Sequence, residues 1–227
     1  MTAFGALFDR VRETSPLVHC ISNLVSANDC ANIVLAAGAS PIMADAPEEV
    51  EEITALSRAL CLSLGTPNPR KAKAMVKAGR TAARLGLPVV FDPVGVGASQ
   101  FRRDIAAEVL REVPVTVLRC NASELQALSG LAQVSRGVDA GKTLPPEALR
   151  PLAEQFAAQH HCVAAVTGAE DIVTDGKTTH ILRNGTPLLR RVTGAGCMLS
   201  VLTAAFVGAK NTNCKTTTCY GVQLQDR

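Results

Sequence analysis

The chain has 227 residues, of which 47% are hydrophobic, and this length suits one large domain or two small ones with a buried core. The net charge is only +3, and the chain has six Phe, one Tyr and no Trp. It therefore has neither the strong positive charge nor the many aromatic rings for base stacking that are typical of nucleic-acid-binding proteins. No segment reaches the roughly 18 uninterrupted apolar residues of a membrane span, and early charges argue against a signal peptide. We therefore expect a cytoplasmic protein that acts on small molecules, without nucleic-acid or membrane partners.

The first half of the chain alternates apolar strand signals with helix signals. The first predicted helix starts with polar residues and has glycine near its end. The second has Asp45 or Ala46 as its candidate N-cap, with Pro47 and acidic residues in the first turn. Predicted strands lie within 16–25 and 59–66, and predicted helices within 26–39, 44–59 and 68–86.

The alternation continues through the second half. The helix that begins at Asn121 carries Glu124 at the third helical position, which suggests a capping box. A hairpin is predicted around Asp175-Gly176, and a final helix follows Gly196. The other predicted strands lie within 87–98, 114–120 and 162–168, and the other predicted helices within 101–113, 121–130 and 144–160.

The cysteines and histidines form no recognisable metal pattern. The chain has eight cysteines without a C-x-x-C pair, so we assign no structural zinc and expect most thiols to be reduced core residues. The doublet His160-His161 precedes an apolar strand and is interpreted as a solvated helix end rather than a metal site. The cysteines are Cys20, Cys30, Cys61, Cys120, Cys162 and Cys197, with Cys214 and Cys219 in an unusual tail.

Strands separated by helices predict an α/β fold with a mainly parallel sheet. Ligands of such sheets bind beyond the carboxyl ends of the strands, where this sequence places two carboxylates, one arginine and two glycine-bearing loops. This set fits a nucleoside triphosphate with Mg²⁺. The residues at these strand ends are Asp92, Arg119, Asn121 to Glu124, Thr167-Gly168 and the loop from Thr193 to Cys197.

The loop before the final helix has chemistry of its own. A helix start carries unpaired N–H groups and partial positive charge, so Thr193-Gly194-Ala195-Gly196 is a candidate anion hole. The same position lowers the pKa of a thiol below about 8.5, which makes Cys197 a candidate reactive group. Alternatively, the small residues serve only close helix packing.

Each of the other strand-end features also has a purely structural interpretation. Asp92-Pro93 suits a turn, Asn121 and Ser123 suit a helix cap, Glu124 suits a capping box, and Thr167-Gly168 suits a strand terminus. Neither a complete G-x-G-x-x-G fingerprint nor a P-loop occurs, which disfavours a dehydrogenase or a P-loop enzyme.

Several motifs in order, from about Pro16 to Ala209, identify a family. The chain resembles hydroxyethylthiazole kinases, which are ribokinase-like enzymes of thiamine salvage. The resemblance implies a three-layer ribokinase-like fold over residues 1–209. The motifs are P-L-V-H-C-I-S-N-L-V, G-A-S-P-I-M, F-D-P-V-G-V-G-A, R-C-N-A-S-E, G-V-D-A (residues 137–140), V-T-G-A-E-D and V-T-G-A-G-C.

The family transfers the γ-phosphoryl group of ATP to the primary alcohol of 4-methyl-5-(2-hydroxyethyl)thiazole, requires Mg²⁺ and forms homotrimers with active sites between subunits. By resemblance, the alcohol lies against Gly194 and Cys197, and Cys197 orients or deprotonates it. The implied thiazole pocket comprises Asn23, Val25 and Met43, and the implied Mg²⁺ carboxylates are Asp92 and Glu124. The implied ATP contacts are Arg119, Asn121, Thr167, Gly168 and Thr193. The implied anion hole is formed by Thr193, Gly194, Ala195 and Gly196.

The sequence departs from the family pattern at several positions. Ser22 stands where threonine is common, Pro67 follows Gly65-Thr66, and Cys120 stands where glycine is usual. If the backbone at Cys120 needs a positive φ or a close approach to phosphate, its side chain is expected to strain or crowd the ATP site. Residues 210–227 are polar and aperiodic where the family continues with helices. Two alternatives therefore stay open: a catalytically silent ligand-binding or assembly version of the fold, and a ribokinase-like kinase for another small alcohol.

Overall fold

The protein is described by a computed structural model over residues 3–131 and 144–210. Its strands are β1 (Leu17–Ile21), β2 (Ser40–Met43), β3 (Ala59–Ser63), β4 (Val89–Asp92), β5 (Val117–Asn121), β6 (Val163–Thr167), β7 (Asp171–Thr174) and β8 (Thr179–Leu182). Its helices are α1 (Ala3–Thr14), α2 (Ala27–Ala37), α3 (Val50–Leu56), α4 (Pro69–Leu85), α5 (Gln100–Glu112), α6 (Ala122–Leu128), α7 (Pro146–His160) and α8 (Ala195–Gly208).

The strands form one sheet in the order β2-β1-β3-β4-β5-β6-β7-β8. The first six are parallel, whereas β7 and β8 are antiparallel and form the hairpin predicted at Asp175-Gly176. Gly176 has a φ of +87°, a conformation that glycine adopts without steric cost. The predicted α/β architecture is confirmed.

Helices cover both faces of the sheet because alternate residues of the buried strands point to opposite sides. Leu60 and Leu62 of β3 belong to a core shared with α3, α4, α5, α6 and α7. Cys61, between them, belongs to a second core shared with α1, α2 and α8. The three layers place the start of α8 beside the carboxyl ends of the central strands.

The sequence analysis predicts neither α1 nor β2. Helix α1 is buried mainly through α8, since Val11 is fully covered and the Phe8 ring packs edge-on against Phe206 with ring centroids 4.8 Å apart. Strand β2 has only four residues and includes Pro41, which is tolerated at a sheet edge. Both elements depend on partners that are distant in sequence.

The second predicted helix starts later than expected. It begins at Val50 with Glu49 as its N-cap, so the prediction of Asp45 or Ala46 as N-cap is wrong. Residues 47–49 instead form a turn, in which the carbonyl of Ala46 accepts hydrogen bonds from the N–H groups of Glu49 and Val50. The local sequence signal for a helix start was present, but the chain is held extended until Ala44 by tertiary contacts described below.

Cys120 does not strain the site. It is a buried residue of β5, paired with Val166, and it is absent from the non-glycine residues with positive φ in the described ranges. Its side chain lies in the core on the α4 and α5 side of the sheet. The expectation that this cysteine would strain or crowd the ATP site is therefore wrong, because an ordinary strand conformation turns the thiol into the core.

The doublet His160-His161 does terminate α7. His161 is the C-cap with a φ of +52°, and the His160 ring stacks on Phe156. Between residues 3 and 131 and between 144 and 210, no helix is long and apolar enough to cross a membrane. The G-V-D-A motif, Cys214, Cys219 and the predicted tail from residue 211 onwards lie outside the described residues.

Candidate active site

Asp92 is the last residue of β4 and lies fully buried at the carboxyl edge of the sheet. Its Oδ2 accepts a hydrogen bond of 2.7 Å from the hydroxyl of Ser200 on α8 and lies 3.6 Å from Arg119 Nη1. Its Oδ1 is buried and has no hydrogen-bond partner within the described ranges. Burial raises the pKa of this carboxyl group, although Arg119 opposes the shift.

Arg119 connects β5 to β6 and to the start of α8. Its Nη2 donates a hydrogen bond of 2.7 Å to Thr167 Oγ1 at the end of β6. A Cβ atom at Gly196 would lie only 2.4 Å from Arg119 Nη1. A larger residue at position 196 would therefore oblige the guanidinium group to shift, a reason for glycine that the sequence analysis did not identify.

Glu124 caps a helix and is also a buried carboxyl group close to Asp92. Its Oε2 accepts from the backbone N–H of Asn121, whose side chain accepts from the N–H of Glu124, so the predicted capping box is confirmed. Its Oε1 accepts from the N–H of Gly95, 2.8 Å away. Burial, followed by the nearby Asp92 carboxylate, raises the pKa of Glu124 to about 7.

Asp92 offers a Mg²⁺ ion an unpartnered carboxylate oxygen, and Glu124 is a second buried carboxylate near it, with both oxygens accepting backbone N–H bonds. The described residues contain no cluster of three or more His, Cys, Asp or Glu side chains that could enclose a metal ion. Mg²⁺, however, is usually bound by one or two carboxylates together with substrate phosphates. The unpartnered Oδ1 of Asp92 is a vacant acceptor, and a cation nearby would offset the repulsion between the two buried carboxylates.

Gly194 is the N-cap of α8 and has a φ of +77°. A Cβ at this position would lie 2.5 Å from the Cβ of Ser26, which precedes α2. The close approach brings the starts of α2 and α8 together at the sheet edge. Thr193, immediately before it, is exposed, whereas the other residues of the predicted anion hole, Gly194 to Gly196, are half-buried.

Cys197 is the third residue of α8 and is only 8% exposed. It lies in the second core, together with Cys30 of α2, Cys61 of β3 and Val201. The thiol thus lies at the boundary between this apolar cluster and the strand-end polar residues. This position suits a group that contacts a mostly apolar substrate.

The predicted thiazole-binding residues lie around the ends of β1 and β2. Asn23 Oδ1 accepts a hydrogen bond of 3.0 Å from the N–H of Val25, and its side chain packs against Gly65 after β3. The hydroxyl of Ser22 donates to the Met43 sulfur at 3.7 Å. Val25 and Met43 are 63% and 38% exposed, so their apolar side chains are available to a ligand or a neighbouring subunit.

Sequence reasoning missed Lys71, a buried residue in the first turn of α4. Its ammonium group donates to the carbonyl oxygens of Ser22 and Gly65, and thereby ties the segment after β1 to the segment after β3. Burial lowers the pKa of this group. In the sequence it resembles every other lysine of a basic helix, so no local signal distinguishes it.

Two predicted ATP contacts have their polar groups engaged elsewhere. The Oδ1 of Asn121 accepts from both Glu124 N and the Ser123 hydroxyl, as the capping interpretation predicts. The N–H of Gly168 donates to Asp171 Oδ1 at 2.9 Å. The Thr167 hydroxyl is engaged as well, since it accepts from Arg119 and donates to the carbonyl of Cys120, 3.3 Å away.

Comparisons with known proteins show the family of the chain. The Hydroxyethylthiazole kinase family model matches residues 8–224. A hydroxyethylthiazole kinase of Clostridium beijerinckii is 48% identical over 209 residues, which cover 90% of this chain and 75% of that protein.

Solved structures extend the comparison to the fold. The structure of a hydroxyethylthiazole kinase from Pyrococcus horikoshii matches with a TM-score of 0.82 and 41% identity, and the match covers 93% of this chain and 79% of that one. A ribokinase-like superfamily protein from Enterococcus faecalis matches with a TM-score of 0.59, covering 96% of this chain and 69% of that one; at 9% identity it supports the fold alone. By family model, sequence identity and coverage together, the chain belongs to the hydroxyethylthiazole kinase family.

Proposed function

We propose that this protein transfers the γ-phosphoryl group of ATP to the primary alcohol of 4-methyl-5-(2-hydroxyethyl)thiazole. The observation that carries the proposal is the network of Asp92, Arg119 and Thr167 packed against Gly196 at the start of α8. Gly196, against which these charged groups pack, is the residue before Cys197 in α8. Asn23 and Met43 lie elsewhere along the same edge of the sheet. The identity of the substrate is inferred from the relatives named above.

On the nucleotide side, Arg119 and Thr167 contact the phosphates, with Thr193 beside them. At the start of α8, the N–H groups of Gly194 and Gly196 are assigned to the charge that develops on the moving phosphoryl group, whereas the N–H of Ala195 donates to the carbonyl of Val192. Phosphoryl transfer through a loose transition state depends mostly on alignment and charge stabilisation, so the site does not need a strong base.

Asp92 and Glu124 would hold Mg²⁺, with Asp92 Oδ1 as the direct acceptor. The ion, when bound, neutralises negative charge on the triphosphate. The protein's own part is to keep Asp92 oriented: Ser200 donates to Oδ2, while the buried Oδ1 has no hydrogen-bond partner among the described residues.

On the acceptor side, Asn23, Val25 and Met43 bind the heterocycle, because a polarizable thioether adapts to a flat sulfur-containing ring. Cys197 contacts the hydroxyethyl group and orients its oxygen. We further propose a homotrimer in which a neighbouring subunit completes this pocket. The exposure of Leu24, Val25 and Met43 supports it, since apolar side chains at a binding site are commonly covered by ligand or partner.

A single assay tests the activity. Turnover of Mg²⁺-ATP would be measured with the thiazole alcohol, with hydroxymethylpyrimidine and with ribose as acceptors. We expect turnover with the thiazole alcohol alone. Preference for another alcohol would support a different ribokinase-like kinase, and thiazole binding without turnover would indicate a catalytically silent version of the fold.

Replacing Cys197 with alanine is expected to lower kcat by about 10- to 100-fold and to leave the Kd of ATP within about twofold of wild type. The helix-start N–H groups and Arg119 remain, so charge stabilisation survives while the alcohol loses its orienting partner. Stopped-flow or single-turnover phosphorylation measures the effect. Cys61→Ala is the matched control, since it removes a buried thiol of the same core and should not change kcat. Wild-type turnover by Cys197→Ala would remove this thiol from the mechanism.

Met43→Ala is expected to raise the KM of the thiazole alcohol by about 10-fold and to leave the KM of ATP unchanged, because only the apolar pocket loses contacts. Met75→Ala serves as the control, since Met75 is a buried residue of α4. That variant should lower the melting temperature and leave both KM values unchanged. An unaltered thiazole KM in Met43→Ala would mean that Met43 takes no part in binding.

A further inference from the structure

His19 is a fully buried polar residue of β1 that the mechanism above does not use. It lies on the face of β1 opposite to Cys20, toward α3 and α4. Its Nε2 is 2.8 Å from the carbonyl oxygen of Ala44, and its Nδ1 is 2.9 Å from Thr54 Oγ1 on α3. One side chain therefore joins three elements of the chain.

The hydrogen-bond partners define the state of the ring. Burial lowers the pKa of His19, so the ring is neutral and carries one N–H. A carbonyl oxygen only accepts, which assigns this hydrogen to Nε2 as the donor to Ala44. Nδ1 lies 2.9 Å from Thr54 Oγ1, whose single hydrogen goes to the carbonyl of Val50, 2.6 Å away, so the contact with α3 is weaker than the bond to Ala44.

The hydrogen bond to Ala44 lies just beyond the end of the backbone pairing between β1 and β2. Strand β2 is an edge strand, and its pairing with β1 ends at the pair Cys20 and Met43. Ala44 is the next residue, is itself buried, and lies beyond the described pairing of β1 with β2. The imidazole N–H satisfies this carbonyl and extends the attachment of β2 to β1 by one residue.

The attachment bears directly on the predicted thiazole pocket. Met43 is held on one side by backbone pairing with β1 and on the other by the bond from His19 to Ala44. Its sulfur accepts from the Ser22 hydroxyl, which follows β1. Without the His19 bond, the end of β2 would be free to separate from β1, and Met43 would lose its place beside Ser22 and Asn23.

We propose that His19 is a positioning residue for the acceptor pocket, which it serves by holding the Met43-Ala44 segment against β1. The proposal rests on the proposed function, since it assigns Met43 to the binding of the thiazole ring. His19 does not touch the substrate, and its effect is transmitted through the backbone of Ala44. It follows that the nucleotide side of the site is independent of His19.

Three variants test the proposal. His19→Leu removes both ring contacts, and His19→Gln supplies an amide N–H for Ala44. Thr54→Val removes the contact of His19 with α3 and the bond from the Thr54 hydroxyl to the Val50 carbonyl, and it leaves the bond to Ala44 in place. We expect His19→Leu to raise the KM and Kd of the thiazole alcohol by about 10-fold or more and to leave the KM of ATP within about twofold. His19→Gln should restore most of the affinity, and Thr54→Val should lower the melting temperature without changing either KM.

Amide hydrogen exchange of the free protein gives a readout that needs no substrate. Exchange at residues 43–46 should accelerate in His19→Leu by at least about 10-fold and stay near wild type in His19→Gln and Thr54→Val. If the wild-type protein fails to bind the thiazole alcohol while this exchange pattern appears, the proposed function fails and the anchoring of Ala44 stands. Unchanged exchange in His19→Leu, an equal rise in both KM values, or the same thiazole defect in Thr54→Val would overturn the proposal.

Discussion

Replacing Asp92 with asparagine is expected to lower kcat by about 100-fold or more while leaving the Kd of the thiazole alcohol within about twofold of wild type. The substitution keeps the size of the side chain and removes a negative charge that is fully buried at the phosphate side of the site. The unpartnered Oδ1, which we assign to Mg²⁺, is either lost or becomes a weaker neutral acceptor. The Mg²⁺ concentration needed for half-maximal turnover should rise accordingly.

Ser200→Ala is the control that separates charge from orientation. It removes the 2.7 Å hydrogen bond to Asp92 Oδ2 and leaves the carboxylate in place. We expect a smaller loss of kcat, about 10-fold or less, with little change in Mg²⁺ dependence. An Asp92→Asn variant with wild-type Mg²⁺ dependence would show that Asp92 is a structural partner of Arg119 and not a metal ligand.

Replacing Gly196 with alanine is expected to raise the KM of ATP by about 10- to 100-fold. In an ordinary helix this substitution stabilises by about 1 kcal/mol, so the local effect is in the opposite direction. Here the new Cβ would lie 2.4 Å from Arg119 Nη1 and 2.9 Å from both Cζ and Nη2. The guanidinium group must then shift, which disturbs its contacts with Thr167 and Asp92 and the phosphate contact that we assign to it.

A double-mutant cycle with Arg119→Ala tests this cause directly. If Gly196 acts through Arg119, Gly196→Ala should add little to the ATP defect once the guanidinium group is gone. Steady-state kinetics of the two single variants and the double variant provide the measurement. Additive effects would mean that the glycine serves another purpose, such as backbone access for phosphate at the helix start.

The sequence predicted the fold class because each element of the central sheet carries its own local signal. Strand β4 is a buried apolar run, α6 has a capping box, and the β7–β8 hairpin has Asp175-Gly176 at its turn. Strand β2 and helix α1 lack such independent signals. One is a four-residue edge strand, and the other is buried by α8 at the far end of the chain.

Part of the candidate site was also predictable, for a geometric reason. Parallel strands end at the same edge, so Asp92, Arg119 and Thr167 had to be neighbours once their strands were identified. The roles within that set were not predictable in the same way. Asn121 and Gly168 lie at the same edge, yet their polar groups are occupied by Glu124 and Asp171.

The sequence by itself determined which residue types stand at the strand ends and which family the chain resembles, because both depend on residues that are close together in the chain. Only the tertiary structure decided what the site's supporting groups do. Lys71, His19 and Ser200 act on Gly65, Ala44 and Asp92, partners that lie from 6 to 108 positions away in sequence. Gly196 likewise needs its small size because Arg119 approaches it from another strand. Hydrogen bonds and close contacts of this kind depend on where the fold brings atoms together, which no local pattern encodes.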